Sequence, residues 1–301
     1  MIFYEDTLSE QLRIETAIKK YGYAPEHNFW WYQCQAEEGS KNIFAESKDG
    51  SGLFNIEEKN KKGCTVFSSP IAGPANRIPV IIEYLTSIFQ SGKIEKVTLE
   101  LEDELYKNFI LALPPKLKAR KINYTLTWPL YNLEIFNCDL SGNNWSSLRK
   151  TKNKFYKNHQ VVLLDAREYE DKKSLHLIVD EWRKQRGGND RVHLFPYHNF
   201  IDSNFKGATE ARIFMVDAKP CGINAGWPIP NSNIFYGALG IHDYSLPGLG
   251  DALYLEDLDW LKNRGYKKAN MGGGEDALTN FKNKFRPESF YKTHIFSVVR
   301  K

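Results

Sequence analysis

The segment 260–285 constrains the fold of this chain more than any other part: WLKNRGYKKANMGGGEDALTNFKNKF. Its pattern predicts a helix that ends at Gly265, a short strand over 266–271, three consecutive glycines and an amphipathic helix. Glycines 272–274 lack a Cβ atom, so the backbone can bend sharply there and lie close to a ligand. The free N–H groups at the start of the next helix favour a binding site at the carboxyl edge of a sheet.

The composition is that of a globular protein of ordinary domain size. The chain has 301 residues, of which 42% are hydrophobic and 14% aromatic, enough for real cores. The sequence has no apolar run of about 18 residues, so we expect no transmembrane helix. The N-terminus lacks the pattern of a secretory signal. The four cysteines form no CxxC pair, so we expect free thiols in a cytoplasmic protein.

Basic residues are clustered although the net charge is only +4. One group lies within 149–157 and comprises Arg149, Lys150, Lys152, Lys154 and Lys157. Two further groups lie within 183–186 and 282–286. Each group alone is typical of a solvated helix face. Three groups around one site favour instead a polyanionic ligand, such as CoA or the phosphates of tRNA.

Strands and helices alternate along the chain, which predicts an α/β (α+β) protein made of two mixed units. In the first half we predict helices over 11–20, 79–90 and 104–112, and strands over 42–47, 52–58, 64–69, 96–102 and within 122–136. In the second half we predict helices over 143–159, 172–187 (ending at Gly187-Gly188) and 253–265, a hairpin over 211–230, and strands over 161–166, 232–241 and 294–301. The boundary is expected near 137–143, which gives domains 1–139 and 140–301.

Two segments resemble the tandem-GNAT acyltransferases of the Fem-type peptidyltransferase and phosphatidylglycerol lysyltransferase-like group. One is the basic helix of WSSLRKTKNKFYKNHQV, and the other is MGGGEDALTNFKNKF, which is similar to the signature GGG … L … FK … F of that group. The resemblance implies two tandem GNAT-like domains, each with a mixed, mostly antiparallel sheet flanked by helices. The first half matches in element order only, so it is expected to be degenerate.

The same resemblance implies a reaction class. The enzyme would transfer an acyl or aminoacyl group to an amine or, less often, a hydroxyl. The co-substrate would be acyl-CoA or aminoacyl-tRNA, with no tightly bound cofactor, and the basic helix would contact tRNA. The identity of the acceptor stays open.

A donor-binding loop is expected at SLPGLGD, which precedes the helix of 253–265. GNAT enzymes bind pyrophosphate there with a (Gln/Arg)-x-x-Gly-x-(Gly/Ala) loop, and Gly248 and Gly250 match that spacing on either side of Leu249. Ser245 departs from the pattern, and Asp251 would repel phosphate. The alternative is an ordinary turn in which Asp251 caps a helix.

The candidate catalytic residues lie near the end of the strand 232–241. His242 and Asp243 form the first candidate base, because a histidine accepts a proton near neutral pH. Glu275 competes for that role. Tyr236 could donate to the tetrahedral oxyanion, although core packing explains it equally.

The acceptor is expected to lie between Trp227 and the glycine turn 272–274. Lys282 and Lys284 point in different directions on a helix, and we place Lys284, next to Phe285, in the site. No metal is predicted, because the histidines of RVHLFPYH lack a third ligand at a suitable spacing.

Two other classes of function fit the sequence. The chain could be a GNAT-like binding module without catalysis. It could also be an RNA-binding protein that uses the basic helix 149–157, with Phe155 and Tyr156 as stacking groups.

Overall fold

The computed structural model describes residues 1–59, 62–66, 69–186 and 191–301. The first half contains β1 (Ile2–Tyr4), α1 (Gln11–Tyr21), α2 (Phe29–Gln33), β2 (Lys41–Glu46), β3 (Gly52–Glu57), β4 (Gly63–Val66), α3 (Arg77–Gln90), β5 (Lys96–Glu102), α4 (Asp103–Ala112), β6 (Leu117–Ala119) and β7 (Tyr124–Asn132). The second half contains α5 (Ser146–Asn158), β8 (Val161–Asp165), α6 (Lys172–Gln185), α7 (Phe195–Asp202), β9 (Glu210–Val216), β10 (Lys219–Pro228), β11 (Ile234–His242), α8 (Leu249–Asn263), β12 (Lys268–Asn270), α9 (Asp276–Asn283) and β13 (Ser289–Arg300).

One continuous sheet runs through both halves in the order β1-β2-β3-β4-β5-β13-β7-β12-β11-β10-β9-β8, with β6 paired to β13. Pairing is antiparallel except at β4–β5 and β11–β12. Strand numbers rise from one edge to the centre in the first half and fall from the centre to the other edge in the second half. The last strand of each half pairs with the other half: β13 pairs with β5, and β7 pairs with β12. The halves therefore share their central strands. The boundary at 139/140 stays a prediction about the chain.

Helices cover both faces of the second-half sheet, and the alternation along β10 shows which face each covers. Ile223 and Ala225 are buried in a cluster with side chains of α6 and α7. Asn224, between them, points to the other face, where it lies beside Asp257 of α8. This period of two separates a face covered by α6 and α7 from a face covered by α8.

Most predicted elements are confirmed. Strands β1 and β6 were not predicted, and further differences concern helices and element bounds. The aromatic segment after position 28 forms α2, and FPYHNFID forms α7, neither of which was predicted. The hairpin turns at Asp217 and Ala218, which adopt positive φ angles, two residues before the predicted turn. β13 begins at Ser289, five residues before the predicted start. The predicted helix end at Gly187-Gly188 lies outside the described residues.

Within the described ranges, no helix is both long and apolar enough to span a bilayer.

Candidate active site at the open end of a parallel strand pair

β11 and β12 diverge at their carboxyl ends. They pair in parallel from Ile234 to Tyr236, but β12 ends at Asn270 while β11 continues to His242. After Asn270 the chain turns to β7, where Gly274 exchanges two backbone hydrogen bonds with Thr127 at 2.9 and 3.0 Å. The chain after β12 therefore leaves β11 near Gly237, whose carbonyl oxygen would lie 3.8 Å from a Cβ atom at Gly272, and we call the place between β11 and the glycine turn 272–274 the wedge. The carboxyl end of a parallel pair is where α/β sheets form ligand sites.

The glycine turn approaches an aromatic ring. Gly272 has a φ of +80°, in the left-handed region that favours glycine. A Cβ atom at Gly273 would lie 2.5 Å from Cε2 of Trp128, so the backbone rests on the indole. Glycine at 273 is thus required for this close packing, whatever else the turn contacts.

Lys282 is the cation at this turn. Its Nζ donates hydrogen bonds of 2.7 Å to the carbonyl oxygens of Met271 and Gly272, and only 5% of the residue is exposed. Burial lowers the pKa of Lys282 to about 7, and the positive charge of Arg186 adds to the shift. The sequence favours Lys284 for the site, whereas the structure puts Lys282 against the carbonyls of the turn; a role of Lys284 in the site stays a prediction.

Lys284 connects the glycine turn to the predicted donor loop. Its Nζ lies 2.9 Å from Oδ1 of Asp251, in the first turn of α8. The eight residues of α9 separate the glycine turn from Lys284, a length of about 12 Å at 1.5 Å per residue. Both glycine-containing bends therefore lie on the same edge of the sheet.

The donor loop is built around two close contacts. Gly248 has a φ of +92° at the start of α8, and a Cβ atom there would lie 3.2 Å from Thr151 of α5. A Cβ atom at Gly250 would lie 2.5 Å from Nε2 of His242. Leu249 is fully buried and belongs to the core, so the accessible part of the loop is its backbone and the exposed side chains of Ser245 and Pro247.

His242 and Asp243 are not hydrogen-bonded to each other. Asp243 instead accepts hydrogen bonds from Nε2 of Gln185 at 2.9 Å and from the backbone N–H of Ser245 at 2.8 Å. Burial lowers the pKa of His242 to about 4, which the charge of Asp243 opposes and that of Arg186 enhances. The imidazole is therefore neutral at pH 7 and a weak proton acceptor there.

Two of the predicted substrate contacts lie in the core. Trp227 is 3% exposed and donates from Nε1 to the carbonyl oxygen of Pro25, 2.8 Å away in the first half. Phe285 is fully buried and stacks on Tyr254 with ring centroids 4.2 Å apart. Neither ring is accessible to a substrate, so both residues serve packing.

Glu275 is exposed beside the wedge and is held by an ion pair. Its Oε1 lies 3.0 Å from NH1 of Arg191, whose guanidinium also covers the ring of Tyr124 at 4.5 Å. Glu275 precedes α9 without capping it through its side chain. The carboxylate of Glu275 therefore faces Arg191, and its role as a base stays a prediction.

The strand register places a set of polar and aromatic side chains on one face of the three central strands. Residues directly opposite share a face, as do residues two apart on one strand. We call this face of β5, β13 and β7 the central floor; by this rule it includes Glu100, Glu102, Tyr124, Leu126, Trp128, Tyr291, Thr293 and Ile295. The rings of Trp128 and Tyr291 stack with centroids 5.7 Å apart. The backbone of Gly273 packs against the Trp128 ring. The central floor therefore borders the glycine turn.

Tyr236, the predicted oxyanion donor, faces the central floor. It is 6% exposed and packs edge to face on Trp227. Burial raises its pKa, and the negative charges of Glu26 and Glu100 add to the shift. The hydroxyl therefore lies within electrostatic range of both carboxylates. Its role in catalysis stays a prediction.

The basic helix α5 lies against the donor loop. Leu148 and Phe155 are buried and pack α5 onto α8. On the outer side, Lys150, Lys154 and Lys157 follow the i, i+4, i+7 spacing and form one stripe. No carboxylate in the described part of the chain lies within ion-pair distance of these three residues. We call them the lysine stripe.

In the described ranges, no group of three or more His, Cys, Asp or Glu side chains could hold a metal ion.

Solved structures with this architecture define the class of protein. The chain is similar to L-PGS from Bacillus licheniformis (18% identity, TM-score 0.67, covering 96% of this chain and 91% of that one). It is also similar to FemX (12% identity, TM-score 0.63, covering 99% and 97%). A tandem GNAT protein from the clavulanic acid biosynthesis pathway shares 10% identity with a TM-score of 0.56, covering 99% and 98%. The fold is therefore the tandem-GNAT fold.

The chain belongs to the family described as phosphatidylglycerol lysyltransferase, C-terminal, whose model matches residues 38–296. It is accordingly an acyltransferase of the aminoacyl-transferring kind. No curated protein sequence matches it at a significant level.

Proposed function

We propose that this protein transfers an aminoacyl group from charged tRNA to a hydroxyl or amine acceptor, and that the transfer takes place in the wedge between β11 and the glycine turn. The observation that carries the proposal is the lysine stripe next to a donor loop whose helix begins with a carboxylate. Phosphatidylglycerol is the first acceptor to test, because it is named in the family description.

The lysine stripe supports a nucleic-acid donor. Its three ammonium groups have no anionic partner in the described residues, and Thr151 on the same helix touches the bend at Gly248. Phosphates of an acceptor stem on the stripe would direct the aminoacylated end towards the loop. Binding of this kind weakens steeply with salt, because each phosphate contact releases counterions.

The start of α8 is less suitable for CoA. A pyrophosphate at this position would meet the carboxylate of Asp251, whose side chain is 11% exposed and whose charge Lys284 balances. Repulsion at a helix N-terminus removes the advantage that the helix dipole gives to anions. Acyl-CoA is therefore the second candidate donor, and we expect weaker binding for it.

The chemistry needs little covalent help from the protein. The acceptor oxygen or nitrogen attacks the ester carbonyl, the C–O bond to the tRNA ribose breaks, and the proton of the acceptor passes to the departing ribose oxygen. Orientation of the reactants supplies several kcal/mol of the acceleration. The ammonium of Lys282, already bound to two carbonyls of the turn, is positioned to donate to the developing oxyanion.

A pure RNA-binding function has less support than the sequence suggested. Phe155 is 2% exposed, and the hydroxyl of Tyr156 donates to Glu256 at 2.6 Å. Neither ring can stack on a base without leaving its packing site. The lysine stripe therefore supports contact with phosphates, on a helix that packs against the donor loop.

The test supplies each donor in parallel. Purified protein is incubated with tRNA charged with a radiolabelled amino acid, or with labelled acetyl-CoA, in the presence of phosphatidylglycerol vesicles, and the lipid is extracted. We expect label in the lipid from charged tRNA. Replacing all three residues of the lysine stripe (Lys150→Glu, Lys154→Glu, Lys157→Glu) should raise the KM for tRNA at least tenfold. The control Lys118→Glu changes an exposed lysine on β6 of the first half and should leave the KM unchanged.

Label from acetyl-CoA alone would replace the proposed donor. No label in the lipid, together with label on an added amine such as a peptide amino group, would replace the acceptor. Because charged tRNA is a cytoplasmic substrate, we propose that the reaction takes place on the cytoplasmic side. Absence of transfer from any donor to either acceptor would favour the binding-module alternative.

A further inference from the structure

Helices α6 and α7 contain the same short pattern, a histidine followed four residues later by an aspartate. On α6 these are His176 and Asp180, and on α7 they are His198 and Asp202. Residues four apart share one face of a helix, and the structure pairs the two faces crosswise. Nε2 of His176 lies 3.0 Å from Oδ1 of Asp202, and Nε2 of His198 lies 3.2 Å from Oδ1 of Asp180. We call these four residues the crossed array.

The two imidazoles of the crossed array face each other through their Nδ1 atoms. These nitrogens are 2.8 Å apart, whereas the ring centroids are 5.0 Å apart and the ring planes are 31° from parallel. Because the centroids are farther apart than the nitrogens, each Nδ1 points away from its own ring and towards the other. Two nitrogens at this distance share a hydrogen bond. Without a proton between them, two lone pairs would oppose each other.

These contacts determine how many protons the two rings hold. Each Nε2 faces a carboxylate oxygen, which accepts and cannot donate when it is ionised, so each Nε2 has a proton. A third proton lies between the Nδ1 atoms. Two neutral imidazoles have two protons and two imidazoliums have four, so the crossed array holds the odd number in between. The third proton therefore belongs to the pair of rings and to neither ring alone.

The distance between the Nδ1 atoms fits a proton better than a metal ion. Two Zn–N bonds of about 2.0–2.1 Å at a tetrahedral angle hold their nitrogens about 3.3 Å apart, which exceeds the 2.8 Å between these two atoms. The side chains of His176 and His198 are 27% and 26% exposed. Water therefore reaches both rings, and the shared proton exchanges with solvent.

The other charged groups of the two helices flank the crossed array with both signs of charge. Lys172, one turn before His176, donates from Nζ to Oδ1 of Asn204 at 2.7 Å. Lys184 pairs with Glu181 at 2.6 Å, one turn further along α6 than the array. The remaining ionisable side chains of α6 and α7 are Lys173, Arg183 and Tyr197.

Other elements that pack against the two helices contribute neutral groups. Cys34, at the end of α2, lies within electrostatic range of Asp202. Burial raises the pKa of its thiol to about 12, which a hydrogen bond with Ser203 opposes and the charge of Asp202 enhances, so the thiol is neutral where histidines titrate. Strands β10 and β11 pack apolar side chains against α6, among them Ile223, Ala225, Leu239 and Ile241. The four residues of the crossed array therefore decide its proton count.

We propose that the crossed array is a proton-dependent brace between α6 and α7, complete only while its two rings share three protons. The inference goes beyond the proposed function and does not depend on it. The far end of α6 binds the residues just before the donor loop: Gln185 accepts from the backbone N–H of Tyr244 at 2.8 Å and donates to Oδ1 of Asp243 at 2.9 Å. The brace therefore holds in place the helix that contacts the start of this loop.

The proton count gives the sign of the pH dependence. Below about pH 6.5, the ordinary pKa of histidine, the two rings hold four protons in the unfolded chain and three in the array. Unfolding then takes up a proton, and stability falls as pH falls. Above that pH the rings hold two protons in the unfolded chain, so unfolding releases a proton and stability falls as pH rises. The contribution of the crossed array to stability is therefore largest near this pH and declines on both sides.

Thermal unfolding of variants between about pH 5 and pH 8 tests the brace. The double variant His176→Asn, His198→Asn removes both rings from partly exposed positions, so we expect it to fold. The Tm of the wild type minus that of the double variant should have a maximum near about pH 6.5, because every other group, His242 included, contributes equally to both proteins. Each single variant should lose most of what the double variant loses there, since either change removes the shared proton.

His193→Gln, at an exposed position outside the crossed array, is the control and should give a Tm difference without such a maximum. A wild-type-minus-double-variant difference that is constant with pH, or that changes in one direction only, overturns the brace.

Nitrogen NMR of the imidazoles counts the protons directly and does not depend on stability. In labelled wild-type protein near about pH 6.5, both Nε2 atoms should be protonated, and both Nδ1 signals should lie between the positions of protonated and unprotonated nitrogen. In His176→Asn, the ring of His198 should titrate as a single site. An unprotonated Nε2 at that pH, or the same titration of His198 in wild type and variant, refutes the shared proton.

Discussion

Nζ of Lys284 lies 2.9 Å from Oδ1 of Asp251, and this ion pair joins the end of α9 to the first turn of α8. The ammonium of Lys284 thus lies beside the carboxylate of Asp251, whose negative charge disfavours anion binding at the donor loop. α9 begins at the glycine turn and ends at this pair. The pair therefore links the two bends through α9.

Removing the charge of Asp251 should strengthen donor binding. Asp251→Asn deletes a negative charge from a helix N-terminus, an effect of about 0.3–1 kcal/mol, or roughly two- to fivefold in Kd. Lys284→Ala should weaken binding by a similar factor, because it leaves the carboxylate unbalanced. Calorimetry with uncharged tRNA and with CoA measures both. Lys267→Ala, in an exposed pair with Glu134 elsewhere, is the matched control, and unchanged affinities in all three variants would contradict the placement of the donor.

Gly273→Val should damage the fold as well as activity. Its Cβ atom would collide with the indole of Trp128, so the ring must move, at a cost of about 1–3 kcal/mol in the free energy of unfolding. Urea denaturation measures this. Gly73→Ala is the control, because a Cβ atom there meets nothing within 4 Å. A Gly273→Val protein as stable as the control would show that the indole is not held in place by the turn.

Lys282 should set the pH dependence of transfer to a hydroxyl acceptor. Its ammonium is needed for the oxyanion and loses its proton near pH 7, since burial lowers the pKa to about 7, so the rate should fall as pH rises through this value. Lys282→Arg keeps its charge and should transfer with a flatter profile. Lys282→Met should lose about 100-fold or more in rate with donor affinity retained. The same decline with pH in the arginine variant would remove Lys282 from this role.

His242 should make the protein sensitive to mild acid. Its folded-state pKa of about 4 lies below the ordinary value of 6.5, so the unfolded chain binds more protons between these values. Stability is therefore fully present above about pH 6.5 and is lost as pH falls towards 4. The Tm of His242→Asn, measured against the wild type at pH 7.5 and pH 5, should decline less. His193→Gln, at an exposed position, should follow the wild type; parallel decline in all three proteins would exclude His242 as the cause.

The helices and strands, and the sheet edge with the glycine turn, could be predicted from the sequence. The side-chain contacts between these elements could be predicted less well. The strand–glycine–helix pattern of 260–285 predicts the glycine turn because glycine and strand signals are local. Which of Lys282 and Lys284 faces the turn depends on how Phe281 and Phe285 pack on Tyr254, which is tertiary information. Helical spacing alone shows only that the two lysines diverge.

The central floor could not be found from motifs. Its residues come from β5, β7 and β13, and they share a face only because β13 inserts between the other two. A glutamate in KVTLELE alternates with leucine as in any amphipathic strand. Thr293, which donates to Glu100 from the neighbouring strand, is 193 residues away in the chain, and sheet order of this kind is set by packing of the whole chain.

The central claim is that the donor's ester carbonyl lies in the wedge, and the structure of a complex tests it most directly. The probe is adenosine that carries an aminoacyl group at its 3′ position through a stable amide. We predict the carbonyl oxygen about 3 Å from Nζ of Lys282 and the adenosine at the loop of Gly248. An analogue bound away from the wedge, or on the outer faces of α8 and α9, would contradict the account.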